Sequence, residues 1–180
     1  DEQQFLSLLA NATSRRDMQD GYAKLYMAAK ASRASRWFDK TPQNIYGILL
    51  LSAVYPDAKF VNIVRHPLNV VSSLRAGKVM GPHTLQAGIN TWLEAVSIAA
   101  EFQSAWPDRI HTLTYEDLTT SPESVLLALL DFLGEAAPPT PFDVRQVHPE
   151  KNLHEEQLSD SERAMIRKQL AGEMAHYGYV

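Results

Sequence analysis

The chain has 180 residues, of which 45% are hydrophobic and 21% charged, and 17 Lys and Arg against 21 Asp and Glu give a formal net charge of −4. This balance is typical of one globular domain with a sizeable core and argues against a disordered tail or a strongly basic nucleic-acid binder. The absence of cysteine excludes a disulfide scaffold, a thiolate zinc site and a cysteine nucleophile, and no apolar run approaches the about 20 residues that span a bilayer.

Helical and extended patterns alternate in the first third of the chain. Apolar residues from Met18 to Ala29 recur at helical spacing, and a Thr-Pro pair at 41–42 provides the hydroxyl cap and first-turn proline of a helix start. The run KFVNIV is β-rich and is bounded by turn residues, which indicates a strand. The predicted elements are a helix over 18–29, a short strand over 36–39, a helix over 45–55 and a buried strand over 59–64.

The same alternation continues to the C-terminus. Prolines open the next helices, glycines end them, and a Ser-Asp-Ser-Glu run forms a capping box. The predicted elements are a helix over 67–76, a longer helix over 85–105, a strand over 109–114, an apolar helix from 121 to 134, an irregular linker over 135–141 and a helix from 159 to about 171. Strands that alternate with helices of about ten residues or more imply parallel crossovers, so the predicted fold class is α/β.

Three polar residues follow the predicted strands directly: Lys40, Arg65 and Tyr115. Ligands of open parallel sheets bind beyond the carboxyl ends of the strands, which is where these residues are expected. The stretch from Ala58 to Leu93 contains no Asp or Glu but carries four Lys or Arg and two His. We therefore predict that the excess positive charge lies at this edge and serves an anionic ligand.

Arg65 and Ser73 make this prediction more specific. Arg65 ends a strand, a proline then opens a helix, and Ser73 lies about two turns along it, so a guanidinium and a hydroxyl can converge on one anion. The alternative is that Arg65 pairs with a surface carboxylate and that the serine faces solvent.

Three stretches resemble one enzyme family. The run IVRHPLNVVSSLRAGK (63–78) resembles the 3′-phosphate-binding motif of sulfotransferases that use 3′-phosphoadenosine 5′-phosphosulfate (PAPS), a strand ending in Arg with Ser eight positions later. WFDKTPQN (37–44) resembles the Lys-containing strand end of bacterial and tyrosylprotein-type sulfotransferases. LTYEDLTTSPESVLLALLDFLG (113–134) resembles their Tyr-Glu-Asp-Leu strand and the helix after it.

The resemblance implies a role for each candidate residue. Arg65 and Ser73 bind the 3′-phosphate of PAPS or of its product, adenosine 3′,5′-bisphosphate (PAP), and Tyr115 lies against the adenine. Lys40 stabilises the charge that develops as the phosphate leaves. Lys151 lies in a segment that often closes over the nucleotide in this family. The alternatives are a Tyr115 that only closes the core and a Lys40 that is solvated beside Asp39.

Sulfuryl transfer of this kind requires no metal, and the six histidines show no zinc-type spacing. A base must remove the proton of the acceptor, and His83 is the candidate because it follows a turn beside the expected acceptor pocket. The alternative is an ordinary loop histidine.

One feature of the family is missing from the sequence: the Gly/Ser/Thr-rich loop that binds the 5′-phosphosulfate. We interpret residues 1–180 as a single, partial sulfotransferase domain, with a three-layer parallel sheet flanked by helices in a P-loop-kinase-like fold, whose N-terminal strand and loop are missing. The alternative is a protein that has lost donor binding.

The predicted function is transfer of a sulfuryl group from PAPS to a hydroxyl or amine of a small-molecule, carbohydrate or peptide acceptor. A small-molecule kinase is disfavoured by the absence of a G-x-x-x-x-G-K-[ST] motif, and an inactive nucleotide-binding or scaffold module is the remaining alternative. No nucleic-acid partner is expected. The sequence suits a bacterial cytoplasmic protein, or a fragment of a Golgi-lumen protein if its source is eukaryotic.

Overall fold

The computed structural model describes residues 2–32, 34–77, 84–149 and 151–179, and of residue 146 the backbone alone. The chain divides into two compact units, Asp1–Ala58 and Lys59–Val180. The interpretation of residues 1–180 as one partial domain stays a prediction.

The N-terminal unit is helical. Its helices are α1 (Glu2–Asn11), α2 (Arg15–Ala29) and α3 (Ile48–Val54), the last preceded by a 3-10 helix over Pro42–Gly47. Ser14 begins α2 by accepting a hydrogen bond from the Asp17 N–H. α1 and α2 pack against each other through the rings of Phe5 and Tyr22, which meet edge to face at 5.9 Å. The helix predicted over 18–29 is confirmed.

The strand predicted over 36–39 is wrong. These residues form no ladder in the described chain, and Phe38 is 89% exposed. The carboxylate of Asp39 accepts hydrogen bonds from the Thr41 hydroxyl (3.0 Å) and the Asn44 amide (2.7 Å). These local bonds turn the chain directly into the 3-10 helix, because short polar side chains compete with extended pairing.

The described residues of the C-terminal unit form two strands, β1 (Phe60–Val64) and β2 (Ile110–Thr114). They pair in parallel, with Phe60 opposite Ile110 and Val64 opposite Thr114. The part of their connection that the structure describes contains two α-helices, as expected of a parallel crossover. The helices of this unit are α4 (Pro67–Ala76), α5 (Leu85–Ala105), α6 (Tyr115–Thr120), α7 (Pro122–Leu133), α8 (His154–Gln157), α9 (Asp160–Gln169) and α10 (Ala171–His176).

β1 is a strand as predicted, but it is not buried on both faces. Phe60 packs edge to face on Phe102 of α5, with ring centroids 5.3 Å apart, and Val64 is buried. Val61 and Ile63 point to the other face and are 41% and 54% exposed. The side chains of a strand alternate between its two faces, and α5 covers the face that carries Phe60 and Val64.

The core of this unit lies where α4 and α5 meet the C-terminal helices. Its largest fully buried side chains come from α4, α5, α9 and the residue after α9: Leu68, Val71, Ile89, Ile166 and Leu170. The bounds predicted for α4 and α5 are confirmed, and so is the capping box, in which Ser159 and Glu162 satisfy each other's backbone N–H groups.

The fold is therefore helix-rich α/β with a small parallel sheet of two strands in the described residues. The three-layer arrangement and the P-loop-kinase-like detail stay predictions. None of the helices in the described part of the chain has the length and apolar character of a membrane-spanning segment.

Candidate anion-binding site

Arg65 and Tyr115 lie side by side at the carboxyl end of the sheet. Val64 and Thr114 are paired at the ends of the two parallel strands. The residues that follow them, Arg65 and Tyr115, are therefore neighbours at the same edge of the sheet. The guanidinium carbon of Arg65 lies 5.3 Å from the centroid of the Tyr115 ring, and both residues are half-buried. This arrangement holds a cation against an aromatic face.

The backbone around Arg65 is held by side chains from three other parts of the unit. The indole N–H of Trp92 donates to the Arg65 carbonyl (3.0 Å), and the His66 N–H donates to the carboxylate of Glu116 (3.0 Å). The other oxygen of Glu116 accepts from the Tyr179 hydroxyl at 2.8 Å. The backbone groups on the C-terminal side of Arg65 are therefore held by hydrogen bonds to side chains.

The helix that follows Arg65 begins as the sequence predicts. His66 is its N-cap, and its ring Nδ1 accepts from the Leu68 N–H (3.2 Å), so this histidine shapes the helix start. Ser73 is exposed and lies on the same side of α4 as His66 and Asn69, given the helical repeat. Its neighbour Ser72 is buried and donates to Gln157.

The irregular segment before the C-terminal helices is fastened beside Arg65 and α4. The Tyr115 hydroxyl donates to the His148 carbonyl (2.9 Å). The side chain of Asn69 bonds to Asn152 (3.2 Å) through its amide nitrogen and to Nδ1 of His154 (2.6 Å) through its oxygen. Asn152 has a positive φ of 48°, which asparagine tolerates better than most residues. Lys151, which is exposed, is thus placed between two points fixed to Tyr115 and α4.

The Lys and Arg residues of the acid-free stretch that the structure describes are not gathered at one edge, which corrects the sequence prediction. Lys59 lies at the opposite end of β1, donates to the Asp108 carbonyl (2.6 Å) and sits 4.8 Å from the Phe132 ring. Arg75 lies in the last turn of α4 and pairs with Glu162 at 2.5 Å. Arg65 is the described arginine of this stretch that reaches the carboxyl end of the sheet.

Neither of the two predicted catalytic residues belongs to the described part of the C-terminal unit. Lys40 is exposed and belongs to the N-terminal unit, in the irregular segment before the 3-10 helix. Its neighbour Asp39 bonds to Thr41 and Asn44, as described above. His83 lies outside the described residues.

Sequence reasoning missed Glu116 and Tyr179. Tyr179 is buried, and burial together with the adjacent Glu116 carboxylate raises the pKa of its phenol. A signal for Glu116 was present, because it follows Tyr115 in the Tyr-Glu-Asp-Leu run. Its role depends on the register of two strands that are distant in sequence, which the run alone does not contain.

Comparison with known proteins decides the family. A sequence model described as the sulfotransferase family matches residues 2–139. The chain belongs to the sulfotransferase family. Among curated proteins, it is 28% identical over 156 residues to the omega-hydroxy-beta-dihydromenaquinone-9 sulfotransferase Stf3 of Mycobacterium bovis, and equally to that of Mycobacterium tuberculosis. These matches cover 78% of this chain and 40% of each relative, so the sulfotransferase chain spans less than half of their length.

Two solved structures share the sulfotransferase fold with this chain. The sulfotransferase domain from the curacin biosynthetic pathway superposes with a TM-score of 0.55 at 19% identity, covering 94% of this chain and 77% of that one. The sulfotransferase domain of the Synechococcus PCC 7002 olefin synthase gives a TM-score of 0.55 at 20% identity, with 94% and 74% covered.

Within the residues that the structure describes, no group of three or more His, Asp or Glu side chains is arranged to hold a metal ion. The groups at the carboxyl end of the sheet are of the kinds that bind anions. A guanidinium and an aromatic face lie together there, directly before a ten-residue helix whose first N–H groups are bonded to His66.

Proposed function

We propose that this protein is a PAPS-dependent sulfotransferase that moves a sulfuryl group from PAPS to an acceptor hydroxyl or amine. The observation that carries the proposal is the pairing of Arg65 with the Tyr115 ring at the carboxyl ends of two parallel strands, directly before α4. Family membership supports sulfuryl transfer as the reaction.

The residues of the C-terminal unit suit the 3′-phosphate half of the donor. Arg65 binds the 3′-phosphate through the paired N–H groups of its guanidinium. Ser73 adds a hydroxyl from the side of α4 on which Asn69 also lies. The ring of Tyr115 provides stacking area for the adenine. Lys151, in the segment fastened by His148 and Asn152, supplies a second positive charge.

The donor supplies an activated sulfuryl group, so the protein needs mainly to position the reactants and to stabilise charge. The acceptor atom forms a bond to sulfur as the bond from sulfur to the bridging oxygen breaks. Lys40 stabilises the negative charge on the leaving phosphate, and His83 takes the proton of the acceptor. We propose no metal in this reaction.

The acceptor that we favour is the hydroxyl of a small molecule. The curated relatives carry names that specify an omega-hydroxy compound as their acceptor, which supports a hydroxyl over an amine. A cytoplasmic location is part of the same proposal.

The test is transfer of labelled sulfate from PAPS to a panel of alcohols and amines by the full-length protein. We expect labelled product with an alcohol, and a kcat lower by about tenfold or more in Lys40→Ala, because a developing charge loses its partner. Lys24→Ala, which removes an exposed lysine of α2, serves as the control and retains full activity. Failure of the wild-type protein to bind PAP contradicts the proposal.

A further inference from the structure

We infer that Glu116 is a positioning residue that aims Arg65 at the 3′-phosphate and thereby sets the preference for nucleotides that carry this group. The inference rests on the proposed function, because it concerns the same site. It assigns a role to a carboxylate that the chemistry of the reaction does not itself require.

The placement of Glu116 follows from the strand register. Val64 and Thr114 are paired, so His66 and Glu116 each lie two residues beyond the same rung of the ladder. One oxygen of the Glu116 side chain accepts the His66 N–H at 3.0 Å. The carboxylate therefore joins the two strand-to-helix turns from which Arg65 and Tyr115 extend.

The second oxygen is also occupied. It accepts the hydroxyl of Tyr179, which is buried and comes from the C-terminal end of the chain. The same hydroxyl lies 3.3 Å from the carbonyl oxygen of Val64. Two donors directed at one carboxylate satisfy both of its oxygens, and bonds to a charged acceptor are stronger than bonds between neutral groups.

These contacts restrain the peptide groups that surround Arg65. The Arg65 carbonyl is bonded to Trp92, the next N–H to Glu116, and the Tyr179 hydroxyl approaches the carbonyl before it. A guanidinium that binds phosphate in two-point fashion depends on its direction as well as on its charge. Without Glu116, the His66 N–H loses its partner and the turn is free to redirect Arg65.

The negative charge of Glu116 lies near the proposed anion site and would repel a bound phosphate. The hydrogen bonds to its two oxygens reduce this repulsion. A carboxylate with accessible oxygens would repel a phosphate, whereas each oxygen of Glu116 is bonded to a donor of the protein. Its effect on the ligand is therefore indirect, through the direction of Arg65.

The test compares two nucleotides, PAP and adenosine 5′-monophosphate (AMP), which lacks the 3′-phosphate, by calorimetry on the full-length protein. For Glu116→Ala we expect PAP affinity to fall by about tenfold or more while AMP affinity changes by less than about twofold, since only PAP uses Arg65. Glu94→Ala, which removes an exposed carboxylate of α5, leaves both affinities unchanged.

A conservative variant separates positioning from a general effect on folding. In Glu116→Gln the amide oxygen still accepts the His66 N–H, while Tyr179 can donate to Val64 instead, so we expect most of the preference for PAP to return. Tyr179→Phe retains the ring but removes the hydroxyl, and we expect a loss between those of Glu116→Gln and Glu116→Ala.

The outcomes distinguish this inference from the proposed function. If the wild-type protein binds PAP and Glu116→Ala weakens PAP and AMP equally, or neither, the positioning role is wrong and the proposed function stands. If the wild-type protein does not bind PAP, the proposed function itself fails. If Glu116→Ala does not fold, the test rests on Tyr179→Phe and Glu116→Gln. The inference is overturned if the ratio of PAP affinity to AMP affinity is the same in both variants as in the wild type.

Discussion

At the scale of single residues, Tyr115 makes two separate contacts in the candidate site. Its ring lies under the Arg65 guanidinium, and its hydroxyl fastens the backbone at His148. The ring contributes contact area and the cation–π interaction, whereas the hydroxyl controls the segment that carries Lys151. These two contributions can be separated by substitution.

We predict that Tyr115→Phe weakens PAP binding by about two- to tenfold, because one hydrogen bond to His148 is lost and the ring is retained. Tyr115→Ala removes the ring as well and weakens binding further. Calorimetric titration of both variants checks the order. A Tyr115→Ala variant that binds PAP as tightly as the wild type contradicts the assigned role.

At the scale of elements, the site rests on the contact between α4 and α5. Gly88 of α5 lies against Val71 of α4, which is fully buried, and a Cβ placed on Gly88 would lie 3.1 Å from a Val71 methyl carbon. The close approach of these helices keeps α4, and with it Ser73, in place after β1.

Gly88→Ala is therefore expected to destabilise the protein by about 1 kcal/mol or more, since crowding against a buried valine outweighs the gain in helix propensity. The control is Gly172→Ala in α10, where the new methyl group meets no atom within 4 Å. That variant should be neutral or more stable by up to about 1 kcal/mol. Urea unfolding midpoints measure both. Equal midpoints for the two variants would contradict the close packing of α4 against α5 at Gly88.

The start of α9 gives a prediction about pH. A hydrogen bond from the Ser159 N–H, aided by Arg75, holds the pKa of Glu162 below its ordinary value of 4.5. Because the folded pKa is the lower one, the stabilisation is present above about pH 4.5 and is lost as the pH falls through the folded value.

We expect Glu162→Gln to be less stable than the wild type at pH 7 and the difference to shrink below about pH 4.5, as followed by urea unfolding from pH 7 to pH 3. Glu94→Gln, with the same change of charge on an exposed face, is the comparison. A Glu162→Gln difference that stays constant over this range would mean that the ionised carboxylate does not stabilise the folded state.

The elements also show how far local sequence determines this fold. The bounds of α4 are readable because Pro67 and Gly77 mark both ends, and the α9 capping box is a local pattern. The strand predicted over 36–39 is wrong because no described strand pairs with this segment, and β-propensity alone does not form a ladder. Glu116 was missed since its partner His66 lies 50 residues away in the chain, and only the sheet register brings them together.

At the scale of the whole molecule, the candidate residues divide between the two units. Arg65, Ser73, Tyr115 and Lys151 belong to the C-terminal unit, and Lys40 belongs to the N-terminal one. The family match extends over both units, from residue 2 to residue 139. The order of motifs along the chain leads to the prediction that the four residues of the C-terminal unit bind a 3′-phosphate nucleotide, whereas the contacts of Glu116 beside Arg65 required the structure.

The most direct measurement is a calorimetric comparison of PAP with AMP in the wild-type protein, Arg65→Ala and Arg75→Ala. We predict that the wild type prefers PAP by at least about tenfold, that Arg65→Ala loses this preference while it remains folded, and that Arg75→Ala retains it, because Arg75 is paired with Glu162. A wild-type protein that binds the two nucleotides equally, or an Arg65→Ala variant that still prefers PAP, would contradict the account.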